Sequence, residues 1–217
     1  MSQLVFKFPF KTTYFEKDFF VSKNNFEAYK LIESWPKWPD KSINIFGPSG
    51  CGKTHLINIL SKKLKLLAID AVKFDETTND IIQKFDCIVI DNYEGNINEN
   101  SFYSFLNHIL QLNKIIIINS LQNIKNLQIR LKDLKSRFDS FIKIQISLPT
   151  DDLIRVILSK TFSDKQIKLS NRNLEYIIKN IDRSYDKIFK FTKDIDNISL
   201  STGKSININL IKKVLNE

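Results

Sequence analysis

The stretch Gly47-Pro48-Ser49-Gly50-Cys51-Gly52-Lys53-Thr54 constrains this chain more than any other. It satisfies G-x-x-x-x-G-K-[ST], with a strand-like Ser42–Phe46 before it and a helix-like segment over residues 53–64 after it. Strand, glycine-rich turn and helix in that order let successive backbone N–H groups converge on phosphate oxygens at a helix N-terminus. Lys53 adds a charge for the β- and γ-phosphates, and the Thr54 hydroxyl is a ligand for Mg²⁺. His55, next along, is grouped with the nucleotide-binding residues. The glycine spacing is not G-x-G-x-x-G, so a dinucleotide fold gains no support.

A second motif follows 38 residues downstream. Phe85-Asp86-Cys87-Ile88-Val89-Ile90-Asp91 is an apolar strand ending in a carboxylate, the Walker B pattern, in which Asp91 holds Mg²⁺ or its bound water. The next residue is Asn92, where many ATPases of this type carry a carboxylate to polarise the attacking water. An amide hydrogen-bonds water but does not take its proton, so slow intrinsic hydrolysis is expected. Glu94 has the same strand parity as Asn92, but the strand is expected to end by Tyr93. Residues 115–118 form a buried strand ending in Asn119 and Ser120. The carboxyl end of a parallel strand is a place for a phosphate or water sensor, and equally for ordinary turn chemistry. Arg130 and Arg137, seven apart in a stretch read as helical, share one face. On periodicity alone they are surface ion-pair formers; an arginine at a module edge can also reach a neighbouring subunit's phosphate.

Around these motifs the pattern alternates. Residues 1–20 are extended, with Leu4, Phe6, Phe8 and Phe10 on one parity. A helix over 25–35 ends at Pro36 and Pro39. Strands over 42–46, 66–72, 86–90, 114–118 and 141–147 then alternate with helices over 53–64, 99–112 and 124–138. That order implies a parallel sheet covered on both faces. After Pro149 the strands stop, and helices are predicted over 151–162, 171–180, 185–199 and 207–216. Thr150 or Asp151 is the expected N-cap of the first and Ser170 of the second. The expected division is an extended segment 1–20, an α/β nucleotide-binding domain 21–149 and a small all-helical domain 150–217.

Charge excludes less than it first suggests. Of 33 basic residues only five are arginine, and the lysines are scattered rather than gathered on one face, as solvated helix surfaces are. No apolar run approaches the 18 or more residues of a membrane span, and the N-terminus lacks the pattern of a signal peptide. Two cysteines, Cys51 and Cys87, are too few for a disulfide framework. A cytoplasmic setting is expected. His55 and His108 stand apart from cysteines and carboxylates at zinc-binding spacing, and no G-x-S-x-G elbow occurs.

With GPSGCGKTHL, CIVIDNYE, LKDLKSRF and the helical LPTDDLIRVIL in view, the sequence resembles the AAA+ module of the DnaA/Hda family of replication proteins, and most the short Hda type. The resemblance runs from about residue 3 to the end. It implies an AAA+ P-loop module with a helical lid, binding ADP or ATP with Mg²⁺. It places Arg137 at the family's arginine-finger position, acting in trans, while Asn119 stays the sensor candidate read from its strand end. It implies that Gln3, Leu4, Phe6 and Phe8 form a peptide that docks on the sliding clamp, the β subunit of DNA polymerase III, with DnaA as second partner. The chain is expected to end after the lid, without the helix-turn-helix domain that reads origin DNA, hence without sequence-specific DNA binding. One departure stands out: alignment puts Asp186 where active relatives carry a sensor arginine, with Arg183 and Lys187 beside it. The expected function is regulation of initiation by promoting hydrolysis of DnaA-bound ATP, with a homo-oligomer open. The alternatives are an autonomous ATPase such as a helicase loader or DnaA-like remodeller and, last, a P-loop kinase, which would need an arginine cluster in its lid.

Overall fold

Short runs of β-branched residues, SINIF, CIVID and IIIINS, are too apolar to face water on either side, and they build the centre of a five-stranded sheet. The computed structural model describes residues 19–75, 81–167, 169–202 and 205–215. Helix α1 (Phe26–Glu33) leads to β1 (Ser42–Phe46) and α2 (Lys53–Leu60), then to β2 (Leu66–Asp70) and β3 (Cys87–Asp91). Helix α3 (Glu99–Gln111), β4 (Ile115–Ser120), α4 (Lys132–Ser140) and β5 (Ile142–Gln145) complete the α/β part. The strand order is β2-β3-β4-β1-β5, all parallel. Register pairs Asp70 with Asp91, and Phe46 with Ser120, so the carboxyl ends of β1, β2, β3 and β4 lie along one edge.

Helix α3 buries Phe102, Phe105, Leu106 and Ile109, the i, i+3, i+4, i+7 stripe of an amphipathic helix. Phe102 stacks on Tyr93 with centroids 4.8 Å apart and meets Phe74 edge-on. Phe138 of α4 also abuts the Tyr93 ring edge-on at 5.8 Å.

The stretch 124–138 is not one helix, as its pattern suggested. A single 3-10 turn, Ile124–Asn126, is capped by the Asn123 side chain, and Leu127 is extended. The Glu99 carboxylate then accepts the N–H groups of Arg130 and Leu131, three contacts at 2.6 to 3.1 Å. Donors used in this way cannot join a helical ladder, so α4 starts only at Lys132. Arg130 therefore precedes the helix that carries Arg137, and the two do not share a helical face. Strand β2 likewise stops at Asp70, two residues short of expectation, because the Asp70 side chain accepts the Val72 N–H and opens a 3-10 turn.

The chain divides into two compact units, one whose described part runs from Phe19 to Ser147 and one whose described part begins at Leu148. The second is helical: α5 (Asp151–Asp164), α6 (Asn171–Asn180), α7 (Tyr185–Thr202) and α8 (Ile208–Leu215). Thr150 caps α5 and Ser170 caps α6, each accepting an N–H of the first turn. Leu158, Phe162, Ile177, Ile188, Ile195 and Ile211 fill its separate core. Among the described residues no helix is long and apolar enough to cross a membrane.

Phe102 is fully buried among the rings of Phe74, Tyr93, Phe105 and Phe138. Phe102→Ala is expected to cost about 3–5 kcal/mol of stability in urea unfolding. A loss under ~1 kcal/mol would contradict this packing.

Candidate nucleotide site

The turn between β1 and α2 adopts a conformation that its glycines permit. Gly52 has φ 99° and serves as the N-cap of α2, a left-handed position that costs a side chain dearly. At Gly47 a Cβ would lie 2.4 Å from the Ile146 carbonyl oxygen, so only glycine lets the loop pass β5's end this closely. The loop is anchored where Gly47 N–H donates to the Ser120 carbonyl.

Lys53 folds back into this loop and is buried. Its Nζ donates to the carbonyls of Gly47 (2.7 Å) and Pro48 (3.1 Å) and lies 3.7 Å from Cys51 Sγ. Phosphate oxygens offer this ammonium acceptors that carry full charge, a stronger pairing than neutral carbonyls. Burial pushes the Cys51 thiol up, against the opposing pull of Lys53, so Cys51 is a packed, protonated side chain. Ser49 and Gly50 lie on the exposed side of the turn.

Thr54 Oγ1 donates to Asp91 Oδ2 at 3.2 Å, joining the first turn of α2 to the end of β3. Asp91 Oδ1 accepts from Asn119 Nδ2, also at 3.2 Å. Asn119 is fully buried at the end of β4, and its Oδ1 has no partner among the described residues. A buried acceptor left open is costly, about 1–3 kcal/mol, and here it sits beside a carboxylate and a hydroxyl of Mg²⁺-ligand type. Glycine cradle, buried lysine and a hydroxyl–carboxylate pair are a donor set that fits a nucleotide phosphate with Mg²⁺.

Asn92 departs from the strand. Its φ of 57° puts it in the left-handed region that asparagine tolerates better than most residues. Its amide donates to Asp70 Oδ2 at 2.8 Å. The Asp70 carboxyl is held below the usual range by the Val72 N–H, then by the Asn92 amide. Strand β3 has ended at Asp91, so Glu94 does not keep strand parity with Asn92.

Aromatic packing covers the turn on another side. Phe19 lies against Gly52, stacks on Tyr29 at 5.8 Å and meets His55 edge-on at 5.2 Å. Sequence reading missed Phe19, Tyr29 and Asp70. A signal for Asp70 was present: LLAID ends in aspartate as CIVID does. It also missed Asn44, the polar break in SINIF, which donates to the Ile118 carbonyl and Ser120 Oγ and accepts the Ile124 N–H.

Other site residues named from sequence lie elsewhere. Arg137 is exposed on α4, and its Nε donates to Asn107 Oδ1 of α3 at 3.1 Å. In the helical unit, Arg183 pairs with Asp151 at 2.9 Å while Asp186 is exposed in the first turn of α7. Gln3, Leu4, Phe6 and Phe8 lie outside the described residues.

No protein-family model matches the chain. It is similar to the chromosomal replication initiator protein DnaA of Borrelia garinii subsp. bavariensis, at 27% identity over 98% of this chain and 49% of that protein. The chain thus spans about half the length of the curated relatives it matches. Domain III of the replication initiation protein DnaA from Thermotoga maritima superposes with a TM-score of 0.76 at 21% identity, over 96% of this chain and 98% of that one. The fold is that of DnaA domain III. A replication initiator DnaA bound to AMPPCP and single-stranded DNA is similar with a TM-score of 0.71 at 20% identity, over 88% of this chain and 66% of that one. In this DnaA-like module the glycine turn, Asp91 and Asn119 meet at one sheet edge.

Gly47→Ala drives a Cβ into backbone. It is expected to cost about 1–3 kcal/mol in thermal melts and to abolish binding of a fluorescent ADP. Lys53→Ala is expected to leave the melt near wild type while weakening the same titration by about 10- to 100-fold, the worth of a charge-assisted bond.

Proposed function

We propose that the chain is an Hda-like, nucleotide-dependent regulator of replication initiation that works on DnaA-bound ATP rather than on its own. Residues 47–55 bind the phosphates of ADP or ATP. Thr54 and Asp91 hold Mg²⁺, which when bound neutralises phosphate charge. Asn119 senses the nucleotide beside Asp91. Gln3, Leu4, Phe6 and Phe8 dock on the sliding clamp, and Arg137 completes the ATP site of a bound DnaA. The similarity to DnaA over nearly the whole chain supports this assignment, since modules of one fold are suited to pack edge to edge.

The observation that carries the reading is the state of Arg137. Its guanidinium is exposed, and no carboxylate among the described residues pairs with it. Arg155 and Arg183, by contrast, are each spent on an ion pair, with Glu175 and Asp151. An uncompensated, bidentate cation on a module's surface suits a phosphate supplied by a partner. The chain's own site supports the same division of labour: Asn92 provides no base, and its amide is engaged by Asp70.

A second reading, an autonomous helicase loader or DnaA-like remodeller, draws on the complete set of Lys53, Thr54 and Asp91 and on the neighbour whose structure holds AMPPCP and single-stranded DNA. One assay separates the two. Radiolabelled ATP preloaded on DnaA is followed in the presence of DNA-loaded clamp and this protein. Conversion to ADP should accelerate, Arg137→Ala should lower that acceleration by about 10³-fold or more, and Gln3→Ala should remove its dependence on clamp. Unchanged conversion, with free ATP hydrolysed by the chain alone, would hand the assignment to the loader.

A further inference from the structure

The bond that holds Arg137 has a particular form. Five N–H groups are available on a guanidinium, and Asn107 engages only the one on Nε. Both terminal amino groups, the pair that forks onto a phosphate, stay clear of it. The acceptor is a neutral amide oxygen, so the bond fixes the plane of the guanidinium without cancelling its charge. Arg155 and Arg183 are held instead by carboxylates, and Arg183 meets Asp151 through both its Nε and a terminal amino group.

Asn107 is itself on a rigid support. It lies on α3, whose Phe102 and Phe105 are fully buried, and α3 grips the start of α4 at its other end through Glu99. The backbone N–H groups of Arg130 and Leu131 hold the Glu99 carboxyl below the usual range, so that grip is ionised at neutral pH. Phe138, next to Arg137, is fully buried and packs on Phe102 and Tyr93. Helix α4 is thereby fixed, and it is the Asn107 bond that holds the long Arg137 side chain upon it. A side chain of this length gives up much of its rotamer freedom when it is placed.

We propose that Asn107 is a positioning residue for Arg137, aiming its open fork at a phosphate held by a neighbouring molecule while leaving the charge intact. This rests on the trans-acting reading above. It predicts that the chemistry of residue 107 governs the maximal rate, whereas nothing about Asn107 contributes to docking.

The test is the DnaA-bound ATP turnover assay with the full chain, titrated to saturation, on Asn107→Ala, Asn107→Asp and Arg137→Ala, with thermal melts of each. Asn107→Ala should lower the plateau rate about tenfold and leave the half-saturating concentration within about twofold of wild type. Asn107→Asp is nearly isosteric and keeps the acceptor, but it adds the charge that cancels Arg137. It should therefore melt at or above the wild-type temperature and still lose at least as much rate as Asn107→Ala. Wild-type turnover in Asn107→Asp would show that Asn107 is a tie between helices and would overturn the proposal. So would an unchanged plateau in Asn107→Ala when Arg137→Ala abolishes turnover. If Arg137→Ala itself is silent, the trans-acting reading fails first, and the role of Asn107 falls with it.

Discussion

Parallel pairing of β4 with both β1 and β3 is the constraint on which the rest depends. Strands that run the same way end at the same edge, so whatever chemistry each one carries at its carboxyl end is delivered to one place. Strand β1 delivers the glycine turn, β3 delivers Asp91 and β4 delivers Asn119, and hydrogen bonds then join the three ends. Gly47 N–H meets the Ser120 carbonyl, Tyr93 N–H meets the Asn119 carbonyl, and Asn119 reaches Asp91. Asn44 reinforces the same edge from inside the sheet, tying β1 to β4 and to the turn after it. A buried polar side chain in such an apolar strand is stable only because its amide makes all three of these bonds.

That edge also underlies the proposal that the site holds a nucleotide rather than cleaving one. The two aspartates that end β2 and β3 are in register, and the residue after Asp91 turns into a left-handed conformation. Asparagine accepts that backbone at modest cost, and its amide finds Asp70. The position at which a general base is expected is thus occupied by a group that donates to a neighbouring carboxylate. The surface arginine on α4 supplies the complementary half of the proposal: a guanidinium held by a neutral amide and paired with no carboxylate among the described residues.

Much of this was legible in the residues, for a definite reason. The glycine turn, the Walker B strand and the strand-ending asparagine are local patterns in which side-chain chemistry and secondary-structure period coincide. The caps at Thr150 and Ser170 are equally local. The stretch 124–138 misled because its spacing of apolar residues is helical, whereas its fate is decided by Glu99, some thirty residues away in sequence, which takes two of its N–H groups. The expected common face of Arg130 and Arg137 disappears with it.

The sequence by itself determined that a glycine-rich turn follows the first strand, that an aspartate ends a buried strand downstream, and that the chain changes from α/β to all-helical near Pro149. Each of these follows from residues adjacent in the chain, where sterics and hydrogen-bonding capacity act at short range. Tertiary structure alone decided that Asp70 would engage Asn92, that Asn44 would lock β1 to β4, and that Asn107 would hold Arg137 by one nitrogen. Those bonds join residues 22 to 74 positions apart. Their geometry is set by strand register and helix packing, which no local pattern of polar residues encodes.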